Sequence, residues 1–127
     1  MNIKDVQLLL YLSPEMFEPC VAFYEKVFDV TSFYGWDEGE NDRGCKYKIG
    51  PLTLVVLAQE KPFEDEPSVP VNFQIEVEDI DAFYAHVSSA APDAITHTLF
   101  TRPYGWRMFR INDPAGNHIN LYQIPNN

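Results

Sequence analysis

The chain has 127 residues, 46% hydrophobic and 14% aromatic, which suits one domain or two small half-modules sharing a core and argues against disorder. Its 19 acidic residues against 9 basic ones give a net charge of −10, which speaks against nucleic acid and anionic membrane surfaces as partners, because both need a basic face. No apolar run is long enough to cross a bilayer and residues 1–5 carry no signal-peptide core, so a cytoplasmic protein is expected.

Residues 3–12 read as a largely apolar strand. Pro19 is acceptable in a first helical turn, so the spacing predicts a helix from about 18 to 28, with Cys20, Phe23, Tyr24 and Val27 on one face. Short strands follow at 31–36, 43–49 and 52–58, separated by an acidic loop at 37–42 and by Gly50-Pro51. Residues 61–69 are charged and rich in proline, as a linker is. The pattern then starts again with a strand at 71–77 and an acidic helix start at Glu78-Asp79. Ile80, Phe83, Tyr84 and Val87 form that helix's apolar face, and residues 88–92 end it. Strands at 94–101, 106–112 and 118–124 complete the chain. The last two are joined by Asp113-Pro114-Ala115-Gly116-Asn117, where Pro114 presets φ, Gly116 supplies a positive φ, and Asp113 and Asn117 can bond the turn backbone. Cys20 and Cys45, far apart in sequence, read as two buried thiols.

The restart is an internal repeat. Val21-Ala22-Phe23-Tyr24-Glu25-Lys26-Val27 and Asp81-Ala82-Phe83-Tyr84-Ala85-His86-Val87 share four of seven residues at an offset of 60, and strands recur around them in the same order. The expected fold is therefore α+β: two tandem βαβββ modules, about 1–60 and 70–127, forming a curved mixed sheet around a cleft within a single domain.

Alternation assigns the strand faces. Leu8, Leu10 and Leu12, Phe73, Ile75 and Val77, and Ile119 and Leu121 make one apolar face, which must carry the helices. The other face has Gln7, Leu9 and Tyr11, then Asn72, Gln74 and Glu76, then His118, Asn120 and Tyr122. Amides and aromatics with few lysines suit the lining of a small-molecule cleft; a solvated outer face is the alternative. Trp106, Met108 and Arg110 fall on the same side of their strand, and Trp36 is a further aromatic candidate.

Phe23-Tyr24-Glu25-Lys26-Val27, and Pro103-Tyr104-Gly105-Trp106-Arg107 followed by the 113–117 turn, resemble the first-helix and closing-hairpin signatures of the vicinal oxygen chelate superfamily, which includes glyoxalase I, extradiol dioxygenases and bleomycin-resistance proteins. The hairpin is especially similar to that of the bleomycin-resistance members. The resemblance implies paired βαβββ modules, usually in a homodimer, and in the enzymes a divalent metal held by His, Glu or Gln from four strands. Matched strand by strand, those four positions are Gln7, Val56, Asn72 and Asn120. Three amides and a valine offer no imidazole, thiolate or carboxylate, so no metal and no other cofactor is expected.

Other chemistries have little to rest on. No Ser or Cys stands in a nucleophile-elbow context, and Gly105 and Gly116 are turn glycines. Glu76 is one acid/base candidate and His118 a second; the plainer role is a carboxylate paired with Arg110 or reaching water for Glu76 and a hydrogen-bonding wall residue for His118. The resulting expectation is a metal-free binding protein for a small molecule, such as a cationic aromatic compound, working as a homodimer. Gln7, Leu9, Tyr11, Val56, Asn72, Gln74, Glu76, Trp106, Met108, Arg110, Asn120 and Tyr122 are its candidate ligand-binding residues. Arg110 would repel a cation unless Glu76 neutralises it. The alternative is a metal-dependent lyase or dioxygenase.

Overall fold

The structure, a computed structural model, describes residues 1–63 and 70–125. Most of the expected linker therefore lies outside the described residues. The chain divides into two compact units, Met1–Val69 and Pro70–Asn127.

The first unit runs β1 (Gln7–Tyr11), α1 (Pro14–Phe28), β2 (Tyr34–Asp37), β3 (Asp42–Ile49) and β4 (Leu52–Gln59). Its sheet has the order β1-β4-β3-β2, with β1 parallel to β4 and the other pairs antiparallel. The second unit repeats this as β5 (Asn72–Glu76), α2 (Ile80–Ala90), β6 (Ile95–Thr101), β7 (Arg107–Asn112) and β8 (His118–Gln123), in the order β5-β8-β7-β6. Again the first strand of the unit is parallel to the last. Two four-stranded mixed sheets, each with one helix, are the α+β tandem βαβββ pattern that the repeat predicts.

The first strand is shorter than expected. Residues 1–6 stay outside it, with Ile3 78% exposed, because β4 begins at Leu52 just after the turn at Gly50. Beyond the bond from the Thr53 amide to the Val6 carbonyl, the described residues offer no strand for them to pair with.

Helix α1 starts a turn earlier than expected. Ser13 is the N-cap, Pro14 opens the first turn, and Pro19 sits inside the helix. An interior proline removes a hydrogen bond and costs about 3 kcal/mol. The carbonyl it deprives is that of Glu15, an exposed residue whose backbone water can reach. The extra turn also buries Phe17, under the Arg43 guanidinium at 4.4 Å from its ring centroid. Burying a phenylalanine is worth about 1.5–3 kcal/mol, which offsets most of the cost.

In the first unit Phe17, Cys20, Tyr24 and Val27 pack on Leu10, Tyr47, Leu54 and Val56. Tyr47 donates to Glu25 Oε2 of α1 at 2.7 Å, and burial followed by that carboxylate pushes its pKa up. In the second, Ile80 and Val87 lie over Phe109, Ile111, Ile119 and Leu121, and Tyr84 meets Phe109 edge-on at 4.9 Å. Helix α2 is capped twice: Asp79 accepts from the Ala82 amide at 3.0 Å, and Gln123 Oε1 accepts from the Ile80 amide at 2.9 Å.

Candidate functional site

With one face of each sheet under its helix, the polar and aromatic candidates belong to the opposite face, and the strand register says which of them are neighbours. In the second unit three cross-strand rows form. Asn72, His118 and Asn112 make the first; Gln74, Asn120, Arg110 and His97 the second; Glu76, Tyr122, Met108 and Phe100 the third. Seven of the candidate residues thus share one sheet face, and Trp106 joins them from the start of β7.

The third row carries the aromatics. Trp106 stacks on Tyr122 with centroids 4.8 Å apart and planes at 8°, and Tyr104 meets Trp106 edge-on at 5.6 Å. The Tyr122 hydroxyl donates to Glu76 Oε1 at 3.4 Å. Its pKa is raised, first by desolvation and then by the negative charge of Glu76. Gly105, at φ 97°, turns the chain so that both aromatics fall on this side.

The second row is a polar lock. Arg110 Nε donates to Asn120 Oδ1 at 2.7 Å, so the guanidinium is held by an amide and not by Glu76. Beside it lies a cavity of about 250 Å³ lined by His97, Phe100, Arg102, Met108, Phe109, Arg110 and Asn120. His97, Phe100 and Arg102 are not among the candidates from sequence. Register shifts in β6 between Ile95 and His97 and between His97 and Phe100 break the two-residue period that would have placed His97 and Phe100, and Arg102 lies past the end of the strand.

The first unit's corresponding face holds Gln7, Leu9 and Tyr11 beside Thr53, Val55 and Leu57. Val56 is not on it. It pairs with Leu10 on one side and Cys45 on the other, facing α1, and is fully buried. The expectation failed because β4 is apolar on both faces, so alternation gives no phase; the register supplies it. Trp36 lies flat over Gly44, its Nε1 donating to Asp42 Oδ1 at 2.9 Å. Gln7 takes part in a cluster with no sequence signal: Asp5 accepts from Gln7 Nε2, Thr53 Oγ1, Lys48 Nζ and the Val6 amide. Gln7 and Thr53 first, then Lys48 and the amide, hold the Asp5 carboxyl down at about 2.

The donor set can be weighed against the metal that the resemblance implies. In the second unit's face the imidazole of His118 and the carboxylate of Glu76 occupy the first and third rows, four residues apart along the strands, roughly 13 Å. His118 Nδ1 is 2.7 Å from Asn112 Oδ1. Asn72, Gln74 and Asn120, between them, offer only neutral amides. In the first unit Gln7 stands beside Thr53, and no ligating side chain replaces Val56. Among the described residues no three His, Cys, Asp or Glu side chains gather as a metal-binding group. These residues do not fit a Zn, Ni or Fe centre of the kind the enzymes carry.

Two βαβββ units of the same strand order define a class of tandem-repeat α+β proteins. The family model described as the Glyoxalase/Bleomycin resistance protein/Dioxygenase superfamily matches residues 12–121, and the chain belongs to that superfamily. Among solved structures, TioX from Micromonospora sp. ML1 is similar at a TM-score of 0.78 and 16% identity, over 96% of this chain and 99% of that one. Lactoylglutathione lyase from Agrobacterium tumefaciens gives 0.71 and 17%, over 96% and 94%. A glyoxalase/bleomycin resistance protein/dioxygenase from Alicyclobacillus acidocaldarius gives 0.70 and 15%, over 97% and 92%. At such identities the likeness is one of fold. Comparison with curated protein sequences gave no match.

Proposed function

We propose that this chain binds a small aromatic molecule without a metal and does not transform it. The observation that carries the reading is the third row of the second unit: a stacked Trp106–Tyr122 pair with Glu76 at its edge, on a face whose other rows set amides beside His97, Arg110 and His118. An outer face of a stacked indole–phenol pair offers a π surface for a flat ring, and a neighbouring carboxylate favours a ring that carries positive charge. The net charge of −10 draws such a cation in the same direction. Bleomycin-resistance members of the superfamily are the functional precedent. The proposal includes a homodimer in the cytoplasm, with no nucleic-acid or membrane partner. No helix among the described residues is long and apolar enough to cross a membrane.

Trp106 reports on its own site once Trp36 is replaced by Phe. Titrating that variant with bleomycin, and separately with a simple aromatic cation such as N-methylquinolinium, is expected to quench Trp106 fluorescence saturably and to release heat in a calorimeter. Absence of both signals for both probes would count against the reading. The metal-dependent lyase or dioxygenase alternative separates by elemental analysis of the purified protein: stoichiometric Ni, Zn or Fe would overturn the metal-free proposal. Sedimentation velocity tests the dimer.

A further inference from the structure

The second row of the same face holds a positive charge with no ion-pair partner among the described residues. The chain has four arginines and roughly two acids for every base, so an arginine without a carboxylate needs a reason. Arg43 reaches Glu18 and Asp37, and Arg107 reaches Asp81 at 3.0 Å. Arg110 is half-buried, and among the described residues no carboxylate lies within ion-pair distance of it. Among the described residues the one hydrogen bond of its guanidinium is that from Nε to Asn120 Oδ1.

That bond holds the guanidinium through Nε and takes up neither of its two Nη groups. A planar pair of N–H donors with a fixed orientation matches two oxygens of a carboxylate or phosphate. The neighbouring groups agree. His97 is the cross-strand partner of Arg110, and Arg102, set on the Tyr104 ring at 5.3 Å, lines the same cavity. Met108 and Phe100 give the cavity an apolar side toward the third row. About 250 Å³ accommodates an oxyanion and the first atoms of its attachment.

We infer that this cavity is an oxyanion subsite, and that the bound molecule carries a carboxylate or phosphate group docked on Arg110, with Arg102 and His97 beside it. The inference rests on the proposed aromatic-binding function and adds a second recognition element to it. Arg110 and Met108 are two residues apart on β7, so the anion sits roughly 7 Å from the aromatic row. The ligand class is therefore an aromatic acid or aromatic phosphate, with any positive charge at the opposite end, toward Glu76.

Matched probes test this: 1-naphthol, 1-naphthoate and 1-naphthyl phosphate, titrated calorimetrically at low salt and near-neutral pH. Both anions are expected to bind roughly tenfold to a hundredfold more tightly than naphthol, the range a charge-assisted bidentate contact gives. The stronger of the two identifies the oxyanion. Arg110→Gln is expected to abolish the preference, so that all three probes bind alike. Asn120→Asp, which retains the arginine and sets a carboxylate against it, is expected to do the same, so the result survives if one variant fails to fold. Equal affinity for all three probes in the parent protein overturns the subsite but spares the aromatic platform. Preference for the anions that persists in both variants also overturns it. Failure of all three probes to bind overturns both proposals.

Discussion

Gly44 shows how one missing side chain shapes a surface. Trp36 lies across it so closely that a Cβ there would run into the indole ring. Gly44→Ala must therefore displace Trp36 and strain its bond to Asp42, at a cost of about 1–3 kcal/mol. A chemical-denaturation midpoint measures the cost, and a red-shifted Trp36 emission in a Trp106→Phe background reports the displacement. Asp5 makes a prediction about pH. Gln7 and Thr53, then Lys48 and the Val6 amide, lower its pKa from 3.8 to about 2 in the folded chain. A carboxyl whose folded pKa is depressed stabilises the fold fully above its unfolded pKa, near 4, and that contribution disappears as pH falls toward 2. Asp5→Asn is expected to be less stable than the parent at neutral pH. The difference should shrink between pH 4 and pH 2, as followed by denaturation midpoints across that range. A constant difference would show that the carboxylate's charge is not what matters.

At the scale of elements, the β7–β8 hairpin is held by a side-chain lock. Asp113 Oδ1 accepts from the Ala115 and Asn117 amides, Asn117 Nδ2 donates to Asp113 Oδ2 at 2.8 Å, and Asn117 Oδ1 accepts from the Val71 amide at 2.7 Å. Both side chains are buried, so removing one leaves its partners unsatisfied. Asn117→Ala is expected to cost about 2–4 kcal/mol in a denaturation experiment, and to speed hydrogen exchange at the Val71 amide more than at the β3–β4 amides. This turn was legible from sequence because proline, glycine and the two polar residues each state a local backbone requirement. Helix α2 was legible for a similar reason: its apolar face and acidic start agree with each other. The start of α1 was not, since Pro19 signals a helix beginning, whereas the burial of Phe17, a tertiary fact, carries the helix back to Pro14. Val56 was misplaced, and His97 and Phe100 of the correctly expected β6 were passed over, where alternation fails, in one case through apolar residues on both faces and in the other through bulges. Seven of the candidate site residues were found together in the second unit because β5, β7 and β8 do alternate.

For the whole molecule, the repeat legible at an offset of 60 becomes two units with the same strand order. In both, the first strand sits at an edge of its sheet and is hydrogen-bonded to the last. A chain ending at Asn112 would keep β6, β7 and α2 but leave β5 no partner strand in its sheet. Amides 72–76 are expected to exchange freely in that truncated protein, while those of β3 and β4 stay protected. Protection persisting at 72–76 would show that β5 is held by something other than β8. The parallel pairing also has a consequence during synthesis on the ribosome. Gln7 waits for Thr53 and Asn72 for His118, each separated by 46 residues, so neither leading strand can be seated while its own unit is still emerging. Each half of the protein must be translated to its end before its opening segment finds a place.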